Sequence, residues 1–336
     1  MRLDLIIPTF RRPELVRCAL ASVARAAPPQ ALDVSVIVVN NDTEPLVLEP
    51  EYTAGRYPVR IVHERRAGKS AALNAGISVS TADYIGLIDD DEEIAPDWFQ
   101  VAERALASRE HDFIGGPAVL QPGKATPSWV PPGYAAVLGS WDHGDAAVAY
   151  GKGFPGILMG GNAVISRAML LAVGPYSTAL GPRVDRRLCS CEDEDMYWRL
   201  VDAGARGQYL PTLVVYHHVH ADRLSKRYYR AWCFWNGASK TTLTQRRATS
   251  VPQIAGVPRY VWGEAFRGAG RWLKAGLGLS DAAERTAGEL AIWHFAGRLY
   301  GRFAPPRTLP SWSGSGVEAT QPRPYEDERA IRSSNR

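Results

Sequence analysis

Short apolar runs alternate with helical segments through the first hundred residues, and this alternation constrains the fold more than any other feature. Residues 3–7, 34–39, 59–62 and 84–88 are typical of buried strands. Helices are predicted from Pro13, over residues 68–78 and from Pro96. The pattern predicts an α/β fold with a mostly parallel central sheet and helices on both faces. In such sheets ligands bind at the carboxyl ends of the strands.

The rest of the chain is less regular. Residues 121–153 are rich in Gly, Pro, Trp and Tyr and show no period. Further strands are predicted at 162–165 and 208–216, and further helices at 167–173 and 192–203. The pattern after Asp222 is helical to about residue 303. The last segment, 304–336, is rich in Pro, Ser and Arg, and we expect a disordered tail there.

Composition excludes several classes of protein. The chain has 336 residues, of which 46% are hydrophobic and 22% charged, so it is not fully disordered, collagen-like or a small disulfide scaffold. Its four cysteines show no disulfide framework, so we expect a reducing, cytoplasmic setting. We find no apolar run long enough to span a bilayer and no signal peptide after Met1. The net charge of +4 is too small to indicate nucleic acid as a partner.

A cluster of acids follows the fourth predicted strand. Residues 83–97 contain no base and seven acids, namely Asp83, Asp89, Asp90, Asp91, Glu92, Glu93 and Asp97. Consecutive aspartates repel one another, and a divalent cation such as Mg²⁺ or Mn²⁺ relieves that repulsion. Asp89 and Asp91 are the natural ligand pair, because residues two apart in an extended segment point the same way. A solvated acidic turn is an equally weighted alternative.

A second acidic run, Glu192-Asp193-Glu194-Asp195, begins a predicted helix that also contains Arg199. Acids in a first helical turn complement the helix dipole, and this structural interpretation is favoured when the run is taken alone. The functional alternative is that one of these acids is a general base directed into a cleft.

Three histidines, His217, His218 and His220, follow the predicted strand at 208–216. A zinc site with Cys189 and Cys191 is disfavoured, because Cys-x-Cys lacks the usual gap of two to four residues.

Bases and aromatics interleave beyond the histidines. Residues 206–247 contain one acid, Asp222, and eight bases, which are Arg206, Arg223, Lys226, Arg227, Arg230, Lys240, Arg246 and Arg247. Such a segment suits phosphates of a nucleic acid, a diphosphate or an anionic lipid. Further on, Arg259, Arg267, Arg271 and Lys274 stand among Tyr260, Trp262, Phe266 and Trp272. Two hypotheses remain open: a helix at a membrane surface, or aromatics that pack on the rest of the protein.

In their order and spacing, seven motifs resemble the family 2 glycosyltransferases, which are inverting enzymes of the GT-A fold. The resemblance covers about residues 1–240. The motifs are Pro8-Thr9-Phe10-Arg11-Arg12, Val38-Val39-Asn40-Asn41-Asp42, the segment from Gly68-Lys69 to Asn74-Ala75-Gly76, Asp89-Asp90-Asp91, Gly160-Gly161-Asn162, Glu192-Asp193-Glu194-Asp195 with Arg199, and Tyr216-His217-His218.

The resemblance implies a role for each matching residue. Asp193 would be the catalytic base, and Asp91, Asp89 and His217 would hold Mg²⁺ or Mn²⁺, with His218 as a rival to His217. The implied donor-binding residues are Pro8, Thr9, Phe10, Arg12, Asn40, Asn41, Asp42, Lys69, Asn74, Asp89 and Asp90. The implied acceptor-binding residues are Gly161, Asn162, Glu192 and Trp232. The family often has an acid where Asn40 and Asn41 stand, and its displacement to Asp42 leaves the donor's base open.

The expected organisation follows from the same resemblance. Residues 1–220 would form the GT-A catalytic domain, with a nucleotide-sugar-binding half (1–115) and an acceptor-binding half (116–220), and residues 221–303 a helical C-terminal region. The expected partners are a nucleoside-diphosphate sugar and a glycan or lipid-linked acceptor, as in bacterial surface glycan synthesis. We expect a cytoplasmic protein, with peripheral attachment to the inner face of the plasma membrane as a hypothesis. A nucleotidyltransferase and an inactive sugar-nucleotide-binding protein are the alternatives.

Overall fold

The computed structural model describes residues 1–53, 55–121, 126–182, 188–247 and 251–303. The strands are β1 (Arg2–Thr9), β2 (Asp33–Asn40), β3 (Val59–His63), β4 (Tyr84–Ile88), β5 (Glu92–Ile94), β6 (Phe113–Gly115), β7 (Ala118–Leu120), β8 (Val148–Tyr150), β9 (Asn162–Ser166), β10 (Gly207–Tyr209), β11 (Val215–His217), β12 (Gln253–Ile254) and β13 (Val257–Pro258). The α-helices are α1 (Pro13–Arg25), α2 (Pro50–Thr53), α3 (Lys69–Val79), α4 (Trp98–Ala107), α5 (Arg167–Val173), α6 (Glu192–Asp202), α7 (Lys226–Arg246), α8 (Arg259–Gly276) and α9 (Ala282–Phe303).

The central sheet has eight strands in the order β3-β2-β1-β4-β9-β6-β10-β8. Strands β1 to β4, β6 and β10 run in one direction, whereas β9 is antiparallel to both of its neighbours and β8 to β10. The predicted α/β fold with a mostly parallel sheet is therefore confirmed.

The strand predicted at residues 208–216 is wrong as a single element. A turn closed by the Leu213 N–H and the Leu210 carbonyl separates β10 from β11. Pro211 in this turn has no N–H with which to continue a ladder. The two halves then enter different sheets: β10 pairs with β6, whereas β11 lies between β5 and β7 in a three-stranded sheet. This second sheet brings His217 back beside the acids that follow β4.

Strand register brings the first motifs together. Thr9 at the end of β1 is opposite Asn40 at the end of β2, and Ile6 of β1 is opposite Leu87 of β4. The segments that leave these three strands therefore start at one edge of the sheet. This edge is where ligands of parallel sheets bind.

Alternating side chains of the strands supply two apolar cores, one on each face of the sheet. Leu3, Leu5 and Ile7 of β1 pack with α1 and α4 on one face. Ile6 of the same strand packs with α3, α5 and α6 on the other. Both faces are covered by helices, so the edge at the strand ends is left for function.

The C-terminal region is helical, as expected, and its helices approach closely through glycines. Helix α9 packs against α7 on one side and α8 on the other. A Cβ on Gly297 of α9 would collide with the Phe234 carbonyl of α7, and one on Gly288 would collide with the Gly268 carbonyl of α8. A hairpin of β12 and β13 interrupts the predicted helical run, because Ala255 and Gly256 both take positive φ, as a tight two-residue turn requires.

Within the described ranges, none of the helices combines the length and the apolar character that crossing a membrane requires. The predicted disordered tail at 304–336 lies outside the described residues.

Candidate active site

Buried carboxylates follow β4 at the ligand-binding edge of the sheet. Asp90 accepts hydrogen bonds from Thr9 Oγ1 (2.7 Å) and Arg12 Nη1 (3.0 Å). Asp91 Oδ2 accepts from Arg12 Nη1 and Arg223 Nη2, each at 2.9 Å. Arg12 therefore bridges both acids, and the sequence motif at the end of β1 is joined directly to the one at the end of β4.

The pKa values of the neighbouring acids Asp90 and Asp91 are shifted in opposite directions. Burial raises the pKa of Asp90 to about 7, and the charge of Asp91 adds to that effect while Arg12 opposes it. Burial also acts to raise the pKa of Asp91, but His217, Arg223 and Arg12 together outweigh it and hold that pKa well below its usual range. Asp91 is thus the acid that this site keeps ionised.

The structure distinguishes the two candidate histidines. His217 Nε2 lies 3.5 Å from Asp91 Oδ1, and its ring is buried. His218, which points away from Asp91, has its Nε2 2.7 Å from a Glu93 carboxylate oxygen and 2.6 Å from Gln121 Nε2. Because successive side chains of an extended segment point to opposite sides, His217 at the end of β11 faces Asp91 whereas the next residue, His218, does not.

Lys69, at the start of α3, connects the two acidic motifs. Its Nζ lies 2.7 Å from Asp89 Oδ1 and 3.9 Å from Glu192 Oε1. Burial acts to lower the pKa of Lys69, but the nearby charges of Asp89, Asp193 and Glu192 raise it well above its ordinary value. Acids about a hundred positions apart in sequence therefore surround one ammonium group.

The acids at the start of α6 differ in whether they have ion-pair partners. Glu194 accepts from Lys240 Nζ (2.6 Å), and Asp195 accepts from Arg199 Nε (3.0 Å). Asp193, in contrast, has one carboxylate oxygen that is buried without a hydrogen-bond partner. Burial raises the pKa of Asp193, as it does that of Glu192, which the Asp193 charge helps to raise to about 8. A buried carboxylate with a raised pKa and one oxygen left without a hydrogen bond suits a general base.

Glycines 160 and 161 make room for two of these carboxylates. A Cβ on Gly160 would collide with the Asp193 carboxylate, and one on Gly161 with that of Glu92. The loop before β9 can therefore run directly beside Asp193 only as glycine.

Polar side chains at the end of β2 shape a second part of the edge. Asn41 Nδ2 donates to the carbonyls of Glu64 (2.7 Å) and Arg66 (2.8 Å), and its Oδ1 accepts from the Gly68 N–H (2.8 Å). Asp42 accepts from Arg11 Nε (2.8 Å), and this hydrogen bond lowers the pKa of the Asp42 carboxyl group. Arg11 also lies over the Phe10 ring, 4.9 Å from its centroid.

The remaining residues at this end have simpler surroundings. Asn40 Nδ2 donates to the Glu44 carbonyl (2.7 Å), and Pro8 is buried opposite Val39.

Like Asn41, three further predicted site residues are occupied by contacts within the fold itself. Asn74 exchanges two hydrogen bonds of 2.8 Å with the backbone of Tyr176. Asn162 is fully buried, where its Oδ1 accepts from Trp98 Nε1 and its Nδ2 donates to the carbonyls of Pro117 and Leu213. Trp232 is partly buried against an apolar cluster that includes Tyr229 and Leu290.

One site residue was not identified from the sequence. Arg223 was only one base of a diffuse basic segment, yet it contacts Asp91 and lies 3.3 Å from His217 Nε2 through its Nη1. It reaches them from the short 3-10 turn that precedes α7. Its spacing of six residues after His217 matches no motif, so only the second sheet reveals the contact.

The site does not enclose a metal by itself. Within the residues that the structure describes, no three His, Cys, Asp or Glu side chains converge as a metal-binding group. Asp91 and His217 form one acid–histidine pair, and Asp89 stands two positions before Asp91 in the sequence.

Comparisons with known proteins link this chain to glycosyltransferases. A family model described as Glycosyl transferase family 2 matches residues 4–173. Succinoglycan biosynthesis protein ExoM of Rhizobium meliloti (strain 1021) is 25% identical over 277 residues, which are 80% of this chain and 81% of ExoM. The uncharacterized glycosyltransferase YibD of Escherichia coli (strain K12) is 32% identical over 100 residues, which are 30% of this chain and 28% of YibD.

A solved structure shares the fold. The mannosyltransferase PcManGT from Pyrobaculum calidifontis, in complex with GDP-Man and Mn²⁺, superimposes with a TM-score of 0.59 at 17% identity, over 90% of this chain and 87% of that one. This likeness confirms the GT-A type of fold. Because the family model spans half of the chain and includes the motifs from β1 to β9, the protein belongs to the family 2 glycosyltransferases.

Proposed function

We propose that this glycosyltransferase is inverting and moves a sugar from a nucleoside-diphosphate sugar to a hydroxyl of a glycan or lipid-linked acceptor. The observation that carries the proposal is Asp193, which keeps a buried oxygen unpaired while its neighbours Glu194 and Asp195 are in ion pairs. One base is sufficient for direct displacement: the acceptor oxygen attacks the anomeric carbon as the diphosphate leaves from the opposite face, so the configuration inverts. Asp193 takes the proton of the attacking hydroxyl.

Three cations at the same edge suit a diphosphate. Arg12, Arg223 and Lys69 converge on the acids after β4, at 2.7–2.9 Å from Asp89 or Asp91. Guanidinium and ammonium groups bind phosphate oxygens well, and they stabilise negative charge that develops on a leaving group. We assign to these three residues the binding and orientation of the donor diphosphate. Thr9, Phe10 and the Asn40 to Asp42 segment would then line the nucleoside pocket.

Asp91 and His217, with Asp89, fit a divalent cation whose other ligands come from the donor and from water. Mg²⁺ is commonly held by one or two carboxylates together with substrate phosphates, and Mn²⁺ accepts carboxylate and imidazole ligands. The Mn²⁺ bound in PcManGT supports this choice of group. Such an ion, when bound, neutralises charge on the departing diphosphate.

Gly161 lies against Glu92, and Glu192 lies 3.9 Å from Lys69, so we keep both on the proposed acceptor side. We assign no acceptor contact to Asn162, because protein groups already use its polar atoms. The role of Trp232 and the cytoplasmic location stay predictions. The name of ExoM, with similarity over four-fifths of both chains, supports an acceptor in glycan synthesis.

The test is Asp193→Asn, which is nearly isosteric and cannot accept the proton. Transfer should fall by about 10²–10⁴-fold, while donor binding measured by calorimetry is retained. Asp195→Asn, two positions after the base and in an ion pair with Arg199, is the comparison, with the melting temperature of each variant recorded. If Asp193→Asn kept wild-type turnover and Glu192→Gln lost it, the assignment of Asp193 as the base would be wrong. A first-formed product with retained anomeric configuration, read by NMR, would contradict inversion.

A further inference from the structure

We propose that the outward face of α8 binds the surface of an anionic lipid bilayer. Phe266, Leu273 and Leu277 have exposed fractions of 72%, 59% and 76%. Their spacing of seven and four residues puts all three on one side of the helix and its C-terminal end. Val261 and Gly268, on the opposite side, are buried in the protein. The helix therefore presents an apolar stripe to the outside.

A basic stripe runs beside the apolar one. Arg259, Arg267 and Lys274 are exposed, and the last two directly follow Phe266 and Leu273. None of these three side chains forms an ion pair within the described part of the chain. The single acid of α8, Glu264, lies two residues before Phe266 and so on the other side of the helix. The outward face thus combines apolar and positive groups without acids.

Helix α7 shows how the same composition is used differently. Two of its bases are in ion pairs, Arg230 with Glu289 (2.8 Å) and Lys240 with Glu194 (2.6 Å). Its residues Tyr229 and Cys233 are buried. Lys240 therefore links α7 to α6 of the catalytic region, whereas the apolar side chains on the outward face of α8 are left uncovered.

Charge selects a bilayer over a second copy of the chain as the occupant. Two copies that met through this face would bring like-charged arginines and lysines together with no acid opposite them. Anionic lipid headgroups supply the missing negative charge, and the acyl boundary accepts Phe266, Leu273 and Leu277. An amphipathic helix with these two stripes lies in the plane of the interface. Binding through this face does not depend on the proposed catalytic residues, all of which lie in other elements.

Vesicle flotation of the full chain, without donor or metal, tests this proposal. The protein should float with phosphatidylglycerol-containing vesicles at low salt, and much less with phosphatidylcholine alone or at high salt, because screening weakens surface charge interactions. The double variant Phe266→Ser with Leu277→Ser should bind about tenfold more weakly. Its matched control is Val47→Ser with Leu171→Ser, which removes two other exposed apolar side chains.

Two charge-reversal variants complete the experiment. Arg267→Glu should weaken binding at least about fivefold, whereas Arg104→Glu, an exposed base on α4, should not. The proposal is overturned if the wild-type chain stays unbound even with strongly anionic vesicles at low salt. It is also overturned if the α8 variants and their controls lose binding equally. A third contradicting result is a wild-type dimer, seen by sedimentation velocity, that Phe266→Ser with Leu277→Ser converts to monomer.

Discussion

At the scale of single residues, Gly160 decides how closely the chain passes the Asp193 carboxylate. We expect Gly160→Ala to displace that carboxylate, since its new Cβ would collide with a side-chain end that can move. Transfer should fall by about tenfold or more, because a misplacement of about 1 Å can cost on the order of 10²-fold. The melting temperature should change little. Gly153→Ala is the matched control, because Gly153 is exposed with nothing near its Cβ position. Equal activity of the two variants would show that Gly160 does not position the base.

At the scale of elements, close helix contacts hold the C-terminal region together. Gly297 of α9 faces the Phe234 carbonyl of α7 with no room for a side chain. We expect Gly297→Ala to lower the free energy of unfolding by about 1–3 kcal/mol, since overpacking forces a backbone shift. Gly270→Ala on α8 meets nothing within reach and should instead be neutral or stabilising by up to about 1 kcal/mol. Urea denaturation measures both. If Gly297→Ala left the free energy of unfolding unchanged, α7 and α9 could move apart without a loss of stability.

At the scale of the whole molecule, the site exists only when three parts meet: the strand edge, the start of α6 and the segment from β11 to α7. Arg223 lies 132 positions from Asp91 in sequence and yet donates to it. In the presence of Mn²⁺, the correct nucleoside diphosphate should bind and stabilise the fold. At 100 times its dissociation constant the gain is about 2.7 kcal/mol.

A chelator should abolish this stabilisation, and so should Asp91→Asn, each judged against its own unliganded melting temperature. Asp97→Asn is the control, because Asp97 is an exposed acid at the start of α4 whose side chain makes no capping hydrogen bond. The measurement is thermal unfolding against a panel of nucleoside diphosphates, which also identifies the base that the Asp42 segment accepts. Full sugar transfer in excess chelator would contradict the metal requirement.

The sequence by itself determined the features that depend on local pattern. Short apolar runs predicted β1 to β4, and the helix starts at Pro13 and near Gly68 agree with α1 and α3. Three aspartates directly after a buried strand marked the acidic edge of the sheet. These signals are readable because each depends on neighbours within a few residues.

Only the tertiary structure decided which of these groups meet. The three-residue strands β5 to β8 are too short to show a period, and without β5, β7 and β11 nothing places His217 rather than His218 beside Asp91. The bases of α7 and α8 look alike in sequence, but Arg230 and Lys240 of α7 meet acids within the protein, whereas one face of α8 is exposed. Asn74 and Asn162 match a motif, yet packing gives their polar atoms to the backbone and to Trp98. Pairing between distant segments depends on which surfaces the fold buries together, and that is a property of the assembled cores rather than of any local stretch.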